Sequence, residues 1–290
     1  MRLSVSVTNY SWPDGEIGAR LAAVADTLDD SAVDTLWVAD HLLQADPSSR
    51  LDEPMLEAYT ALGFLAARTS RLRLGTMVTA VTFRAAALLI KTVSTLDVLT
   101  DGRAWLGIGA GYNANEADAM GLFMPPTAER FEQLSELLRL TKQMWAGDDS
   151  PFRGEHLKLE HPVCSPRPVA SPRPPVLIGG TGERRTLRLV AEHGDACNLF
   201  DVPDGGRAIR RQLEVLARHC ADVGRPFDAV ERTVSTALES GESVDELVCR
   251  CHALGDLGTT HVVVIVRGAP WSQEALATVT RAAARLSTTG

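Results

Sequence analysis

The stretch PVLIGGTGERRTLRLVAEHGDACNLF, residues 175–200, decides the fold. It opens on an apolar run of strand length, PVLIG (175–179), and turns through three glycines within four residues. A segment with helical spacing follows, in which Leu187, Val190 and Ala191 share one face as a helix packed on a sheet requires. The chain then re-enters a strand-like run, ACNLF (196–200). Strands that are apolar on both faces and joined through a helix lie parallel, in a sheet that helices cover.

Working outward, the same unit recurs. LSVSV (3–7), TLWVA (35–39), LRLGTMVTA (72–80), RAWLGIG (103–109), VERTVSTA (230–237) and HVVVIV (261–266) bring the strand-like runs to eight. The run at 230–237 is the least regular, with weak alternation and polar neighbours. Helical spacing lies between the runs, as at 127–146, where Phe131, Leu134, Leu138, Thr141 and Trp145 fall near one face. Helix-start signals agree: Thr127 follows Pro125-Pro126, Ser243 and Glu246 form a capping box, and Ser272 precedes the last helix. Eight βα units in 290 residues predict an α/β fold, a (β/α)8 TIM barrel forming one domain over 1–290, with a doubly wound open sheet as the alternative. Residues 148–175 break the rhythm, being polar and proline-rich. They read as an insertion before the fifth strand, with HLKLE pairing as a hairpin strand.

Composition narrows the function. A net charge of −8, with 23% charged and 45% apolar residues, describes a soluble globular protein that binds a small molecule, with no nucleic-acid surface. The N-terminal MRLSVSVTNY lacks the continuous apolar stretch of a signal peptide, and no segment is long enough to cross a membrane. Five scattered cysteines fit reduced thiols and a cytoplasmic location. In CRCH (249–252) the two cysteines would lie about 200° apart on a helix, so no metal site is expected.

In a barrel, chemistry gathers at the C-terminal strand ends. Asp40-His41 is the acid/base candidate there, because histidine titrates near neutrality; the competing reading is a histidine tied into a turn by its neighbour. LGIGAGYNANE (106–116) lacks the full dinucleotide fingerprint, and its glycines either let a flat ligand lie against the backbone or form a plain turn. IGGTGERRT (178–186) reads as an anion site, with converging backbone N–H groups, Glu183 at the helix start, Arg184 at the flank and Arg185 in solvent. Tyr10, Trp12, Phe83, Tyr112 and Phe200 are the aromatic rim for a substrate.

The chain resembles the luciferase-like oxidoreductases, in the branch that uses the deazaflavin coenzyme F420. The residues that carry this are VADHL (38–42), LGTMVTAVTFR (74–84), LDVLTDGRAWLGIGAGYNANE (96–116), FRGEHLKLE (152–160) and SPRPVASPRPPVLIGGTGERRTLRLVAEHGDACNLF (165–200). The resemblance implies the barrel, an insertion before its fifth strand, and an acid/base pair Asp40 and His41 with His41 the proton donor. It implies a non-prolyl cis peptide at Met77–Val78 behind the cofactor ring, and further cofactor contacts from Thr79, Gly109, Asn115 and Glu116. Gly179, Gly180, Thr181 and Gly182, with Arg184, would cradle the phosphate of the cofactor tail. Two positions depart from the family: Ala85-Ala86 follow TFR, and Tyr112 stands where the sugar-phosphate dehydrogenases carry a glutamate. The implied activity is hydride transfer between the deazaflavin C5 and a C=O, C=N or C=C carbon. An FMN-dependent monooxygenase and a non-catalytic ligand carrier are the alternatives, and a homodimer through helices at 54–69 and 85–99 is expected.

Overall fold

The computed structural model describes residues 1–288. In chain order the elements are β1 (Arg2–Val7), α1 (Ile17–Asp29), β2 (Thr35–Val38), α2 (Ala58–Arg68), β3 (Arg73–Thr76), β4 (Thr79–Ala80) and α3 (Ala86–Leu99). There follow β5 (Leu106–Gly109), α4 (Ala114–Ala119), α5 (Thr127–Ala146), β6 (Phe152–Arg153), β7 (Lys158–Leu159), β8 (Val176–Gly179) and α6 (Thr186–His193). The chain ends through β9 (Ala196–Phe200), α7 (Arg207–Asp222), β10 (Glu231–Ala237), α8 (Val244–Asp256), β11 (His261–Ile265) and α9 (Gln273–Ser287).

Nine parallel strands run in the order β3-β2-β1-β11-β10-β9-β8-β5-β4. β3 and β4 are two halves of one stave, split at Met77–Val78. Leu74 bridges to Ala104 while Thr79 and Ala80 pair with Ile108 and Gly109, so the sheet closes on itself as a barrel. The open-sheet alternative is therefore set aside.

Strand alternation assigns the two faces. Leu3, Val5, Val7, Leu36, Val38, Leu106, Ile108, Ile178, Leu199, Val234, Val262 and Val264 belong to the large apolar layer beneath the helices. The residues between them point to the barrel axis, where a small apolar plug of Trp37, Trp105, Leu177, Ala196 and Val263 fills the middle. Two indoles there leave little volume. Gly75 sits against them so closely that an added Cβ would lie 2.7 Å from the Trp105 Cβ and 2.8 Å from the Trp37 ring. The serines of LSVSV, Ser4 and Ser6, are small enough to share this interior.

The irregular run at 230–237 forms the longest strand of the barrel, because its polar residues find partners in place. Thr233 and Ser235 donate to the Asn198 Oδ1 at 2.8 and 3.1 Å, and Thr236 donates to Asp201 at 2.8 Å. The helix starts at Thr127, Ser243 and Ser272 stand where the sequence places them, with the capping box complete. Helix α6 does not start at Glu183. It begins at Thr186, because the Glu183 carboxylate is drawn to Arg211 on α7 at 2.7 Å and its carbonyl to His219 at 2.9 Å.

The polar segment 148–175 is held by carboxylates as well as by apolar packing, with Phe152 and Cys164 buried in the main core. Its strands β6 and β7 pair antiparallel, Phe152 with Leu159 and Arg153 with Lys158. Glu136 of α5 accepts the N–H groups of Glu155, His156 and Leu157 at 2.6, 3.1 and 2.8 Å. Asp97 of α3 accepts those of Val169 and Ala170 at 2.7 and 3.0 Å. On α8, Cys249 is exposed and Cys251 is buried, on different faces of the helix. Among the described residues, no helix is long and apolar enough to cross a membrane.

Candidate active site

Asp40 and His41 follow β2 at the C-terminal mouth of the barrel, where sequence reasoning expected them to act as a pair. The structure separates them. Asp40 is buried and turned to Arg84, whose Nη1 and Nη2 donate to Oδ2 and Oδ1 at 2.5 and 3.0 Å, while the Thr79 hydroxyl donates to Oδ2 at 2.6 Å. Arg84 also contacts Glu57 and stacks over the Tyr59 ring at 4.7 Å, and Tyr59 and Thr79 share a hydrogen bond of 3.1 Å. Burial disfavours the charged guanidinium, but its bonds to Asp40 and Glu57 outweigh this and hold the Arg84 pKa above its ordinary value. Thr79, expected to contact the cofactor, is enclosed in this network.

His41 takes its carboxylate from another strand end. Its Nδ1 lies 2.6 Å from the Glu116 Oε2, and the Glu116 Oε1 accepts the N–H groups of Leu42 and Leu43 at 2.5 and 3.1 Å. Glu116 sits in the short helix α4, whose start is capped by Asn113. Burial pushes its carboxyl up, while the His41 bond and the two backbone donors outweigh burial and bring it below the usual range. A carboxylate on Nδ1 fixes the imidazole so that Nε2 is the nitrogen left for chemistry. Tyr112 packs edge-on against the His41 ring, centroids 5.8 Å apart.

The Met77–Val78 peptide is cis, as the resemblance implied. The Val78 side chain covers two of the motif glycines: a Cβ on Gly179 would lie 2.8 Å from both Val78 methyls, and one on Gly109 would lie 3.1 Å from Cγ2. These two glycines are bare to admit a valine of the chain's own, which revises their reading as ligand-facing. Past them Gly180 has φ of +120°, a conformation that other residues rarely adopt. Among the described residues, no protein acceptor takes the N–H groups of Gly180, Thr181, Gly182, Glu183, Arg184 or Arg185, and no side chain caps α6. That is the donor set an anion needs. Arg184 is exposed beside it, and Arg185 stacks over Phe131 at 5.6 Å.

The expected rim divides. Tyr112 and Phe200 are exposed at the mouth and Phe83 is half-buried, whereas Tyr10 and Trp12 are buried in the core, with the Trp12 Nε1 donating to the Trp271 carbonyl at 3.1 Å. Apolar bulk gains more from the core than from an open rim. Asn115 is exposed and Met77 packs on the barrel plug. Arg84 went unnoticed in the sequence although it closes the motif LGTMVTAVTFR; an arginine just after a barrel strand, with an aspartate after the neighbouring one, was the available signal.

The sequence pattern of the luciferase-like monooxygenase family matches residues 1–283. The chain is 37% identical over 224 residues to an F420-dependent glucose-6-phosphate dehydrogenase of Kineococcus radiotolerans, an alignment spanning 77% of this chain and 64% of that relative. Its fold is similar to that of a monooxygenase from Streptomyces bottropensis, with a TM-score of 0.83 at 17% identity over the whole of both chains. It is also similar to an F420-dependent secondary alcohol dehydrogenase, with a TM-score of 0.81 at 14% identity over 98% of this chain and 99% of that one.

Proposed function

This chain belongs to the luciferase-like monooxygenase family, and from that premise we propose that it is an F420-dependent oxidoreductase acting on a small organic molecule. The observation that carries the reading is the His41–Glu116 contact at the mouth, an imidazole with Nδ1 held at 2.6 Å and, among the described residues, no protein hydrogen-bond partner on Nε2. The F420-dependent relative at 37% identity supports the choice of cofactor.

The chain's own residues fit the group. The six unpaired N–H groups of residues 180–185, with Arg184 beside them, would hold the tail phosphate, and Met77 and Val78 would support the ring. When bound, the deazaflavin supplies a ring carbon that accepts or donates a hydride. His41 moves the proton through Nε2, taking it from an alcohol oxygen during oxidation or giving it to a carbonyl oxygen during reduction. Glu116 holds the ring's orientation and stabilises the imidazolium while it carries the proton. Arg84 holds the Asp40 carboxylate in place through both of its oxygens. Exposed Phe64 on α2 and Leu88 on α3 support pairing of two copies across these helices; a monomer in sedimentation would remove that pairing.

Titrating the protein with F420 and with FMN, and following ring fluorescence, tests the cofactor. F420 is expected to bind tightly and FMN weakly; the reverse order would turn the reading into a flavin monooxygenase. His41→Ala is expected to lower turnover by about a hundredfold or more with F420 affinity within a factor of about two. Undiminished turnover would remove the proton role.

A further inference from the structure

We infer that His219 and Arg211 of α7, both outside the glycine turn, are positioning residues for the phosphate ester held there: His219 aims the Arg184 N–H, and Arg211 keeps the Glu183 carboxylate out of the turn. This rests on the proposed function above and deepens it at the tail-phosphate end of the same site.

Glu183 is the single acidic residue of IGGTGERRT, and it lies among the unpaired N–H groups of residues 180–185. A carboxylate free to turn toward the positive end of a helix accepts such N–H groups itself and fills the place of an external anion. Helix α7 prevents this with two contacts. Arg211 forks onto the carboxylate, Nε to Oε1 at 2.7 Å and Nη2 to Oε2 at 3.0 Å, which occupies both oxygens and balances the charge. His219 donates from Nε2 to the Glu183 carbonyl at 2.9 Å. Arg211, the buried Val215 and His219 recur at every fourth residue and so share one face of α7.

The carbonyl bond matters because the peptide group is planar. The Glu183–Arg184 peptide is trans, so its C=O and N–H point in opposite directions. With the oxygen turned to His219, the Arg184 N–H faces away from α7. Leu187 acts likewise on the preceding peptide: its N–H reaches the Gly182 carbonyl at 3.1 Å, which turns the Glu183 N–H away from Leu187. Two adjacent donors are thus oriented from outside the residues that carry them. The His219 Nδ1 is buried, makes no hydrogen bond among the described residues and lies 3.9 Å from Asp222, so the ring's hydrogen bond is the one to Glu183. The far end of α6 is tied from the same side, where Arg225, just after α7, donates to the carbonyls of Val190, Ala191 and Gly194 at 3.2, 3.3 and 2.6 Å.

The test follows inorganic phosphate by the amide NMR shifts of nitrogen-labelled protein and F420 by ring fluorescence. In the parent, phosphate is expected to move the Arg184 amide resonance; no movement overturns the inference, whatever F420 does. Movement with phosphate but no binding of F420 overturns the cofactor reading alone. His219→Phe keeps a ring without a donor and is expected to weaken phosphate, and F420 with it, about tenfold, whereas His219→Gln, which retains an N–H donor, should stay within about threefold of the parent. Equal weakening by both changes, or by neither, overturns the inference. Arg211 is largely exposed, so its ion pair adds little to stability and its loss is read in binding. Arg211→Ala is expected to weaken phosphate about fivefold in the parent and to change nothing in a Glu183→Gln background. Equal effects in both backgrounds would show that Arg211 acts by its own charge and not through Glu183, and would overturn its role. If His219→Phe does not fold, His219→Gln and the Arg211–Glu183 cycle decide.

Discussion

Two buried carboxylates at the mouth have different work, and single substitutions separate them. Glu116 bonds His41 and also serves two backbone donors, so Glu116→Gln keeps the shape but loses the charge that, in the proposed mechanism, steadies the imidazolium. Turnover should fall on the order of a hundredfold while F420 affinity holds; a variant with parental kcat would show that the contact is structural only. Asp40 depends on Arg84 for charge balance. Arg84→Met leaves a buried carboxylate without its cation and should cost about 3–5 kcal/mol of stability. The double variant Arg84→Met/Asp40→Asn should recover part of that loss in urea unfolding. If the double variant is as unstable as the sum of its single changes, the two residues do not act as a pair.

At the scale of elements, the split stave and the glycine turn of β8 are fitted to each other through Val78. Gly179→Ala places a methyl 2.8 Å from both Val78 methyls, a contact that something must relieve. Overpacking of this kind costs about 1–3 kcal/mol. In a Val78→Ala background the same change should be close to neutral, so a double-mutant cycle should give a coupling of about 1 kcal/mol or more. Additive effects would show that Val78 does not fill the space over Gly179. The same fit carries a functional expectation: because the turn after Gly179 holds the unpaired N–H groups, Gly179→Ala should weaken F420 more than the Val78→Ala/Gly179→Ala double variant does.

Over the whole molecule, carboxylates tie separate segments together, and acid should undo these ties together. Burial raises the Asp29 carboxyl, but the N–H groups of Ser70, Leu72 and Arg71 outweigh it and bring it down to about 2. Burial likewise opposes, and bonding outweighs it, at Glu116, Glu136 and Glu231, all held below the usual range, Glu136 by three backbone donors and Glu231 chiefly by His261. A carboxyl with a depressed folded pKa binds more protons when unfolded, so its stabilisation is complete above the unfolded pKa and is lost as pH falls through the folded value. The urea midpoint should therefore hold above about pH 5 and fall steadily toward pH 3, with Asp29 the last of the four to give way. A midpoint unchanged between those limits would show that these contacts do not contribute.

The barrel was legible from the sequence because strand and helix periods are local properties. Apolar runs of strand length, the spacing of Leu187, Val190 and Ala191, and the caps at Ser243 and Ser272 all act within a few residues of themselves. Even the polar run at 230–237 counted correctly as a strand, although the Asn198 that satisfies Thr233 and Ser235 lies 35 and 37 residues away. The family pattern singled out His41 and the glycine turn after β8 as candidates in the same way. Partner choice at the mouth was not legible. His41 meets Glu116 from 75 residues away, while its neighbour Asp40 turns to Arg84, 44 residues away. Adjacent residues leaving a strand point to opposite sides, so sequence neighbours are poor candidates for partners, and only the closing of the barrel brings the true ones within reach. Tyr10 and Trp12 followed the same rule: their chemistry suited a rim, but the packing of the completed barrel offered them a core.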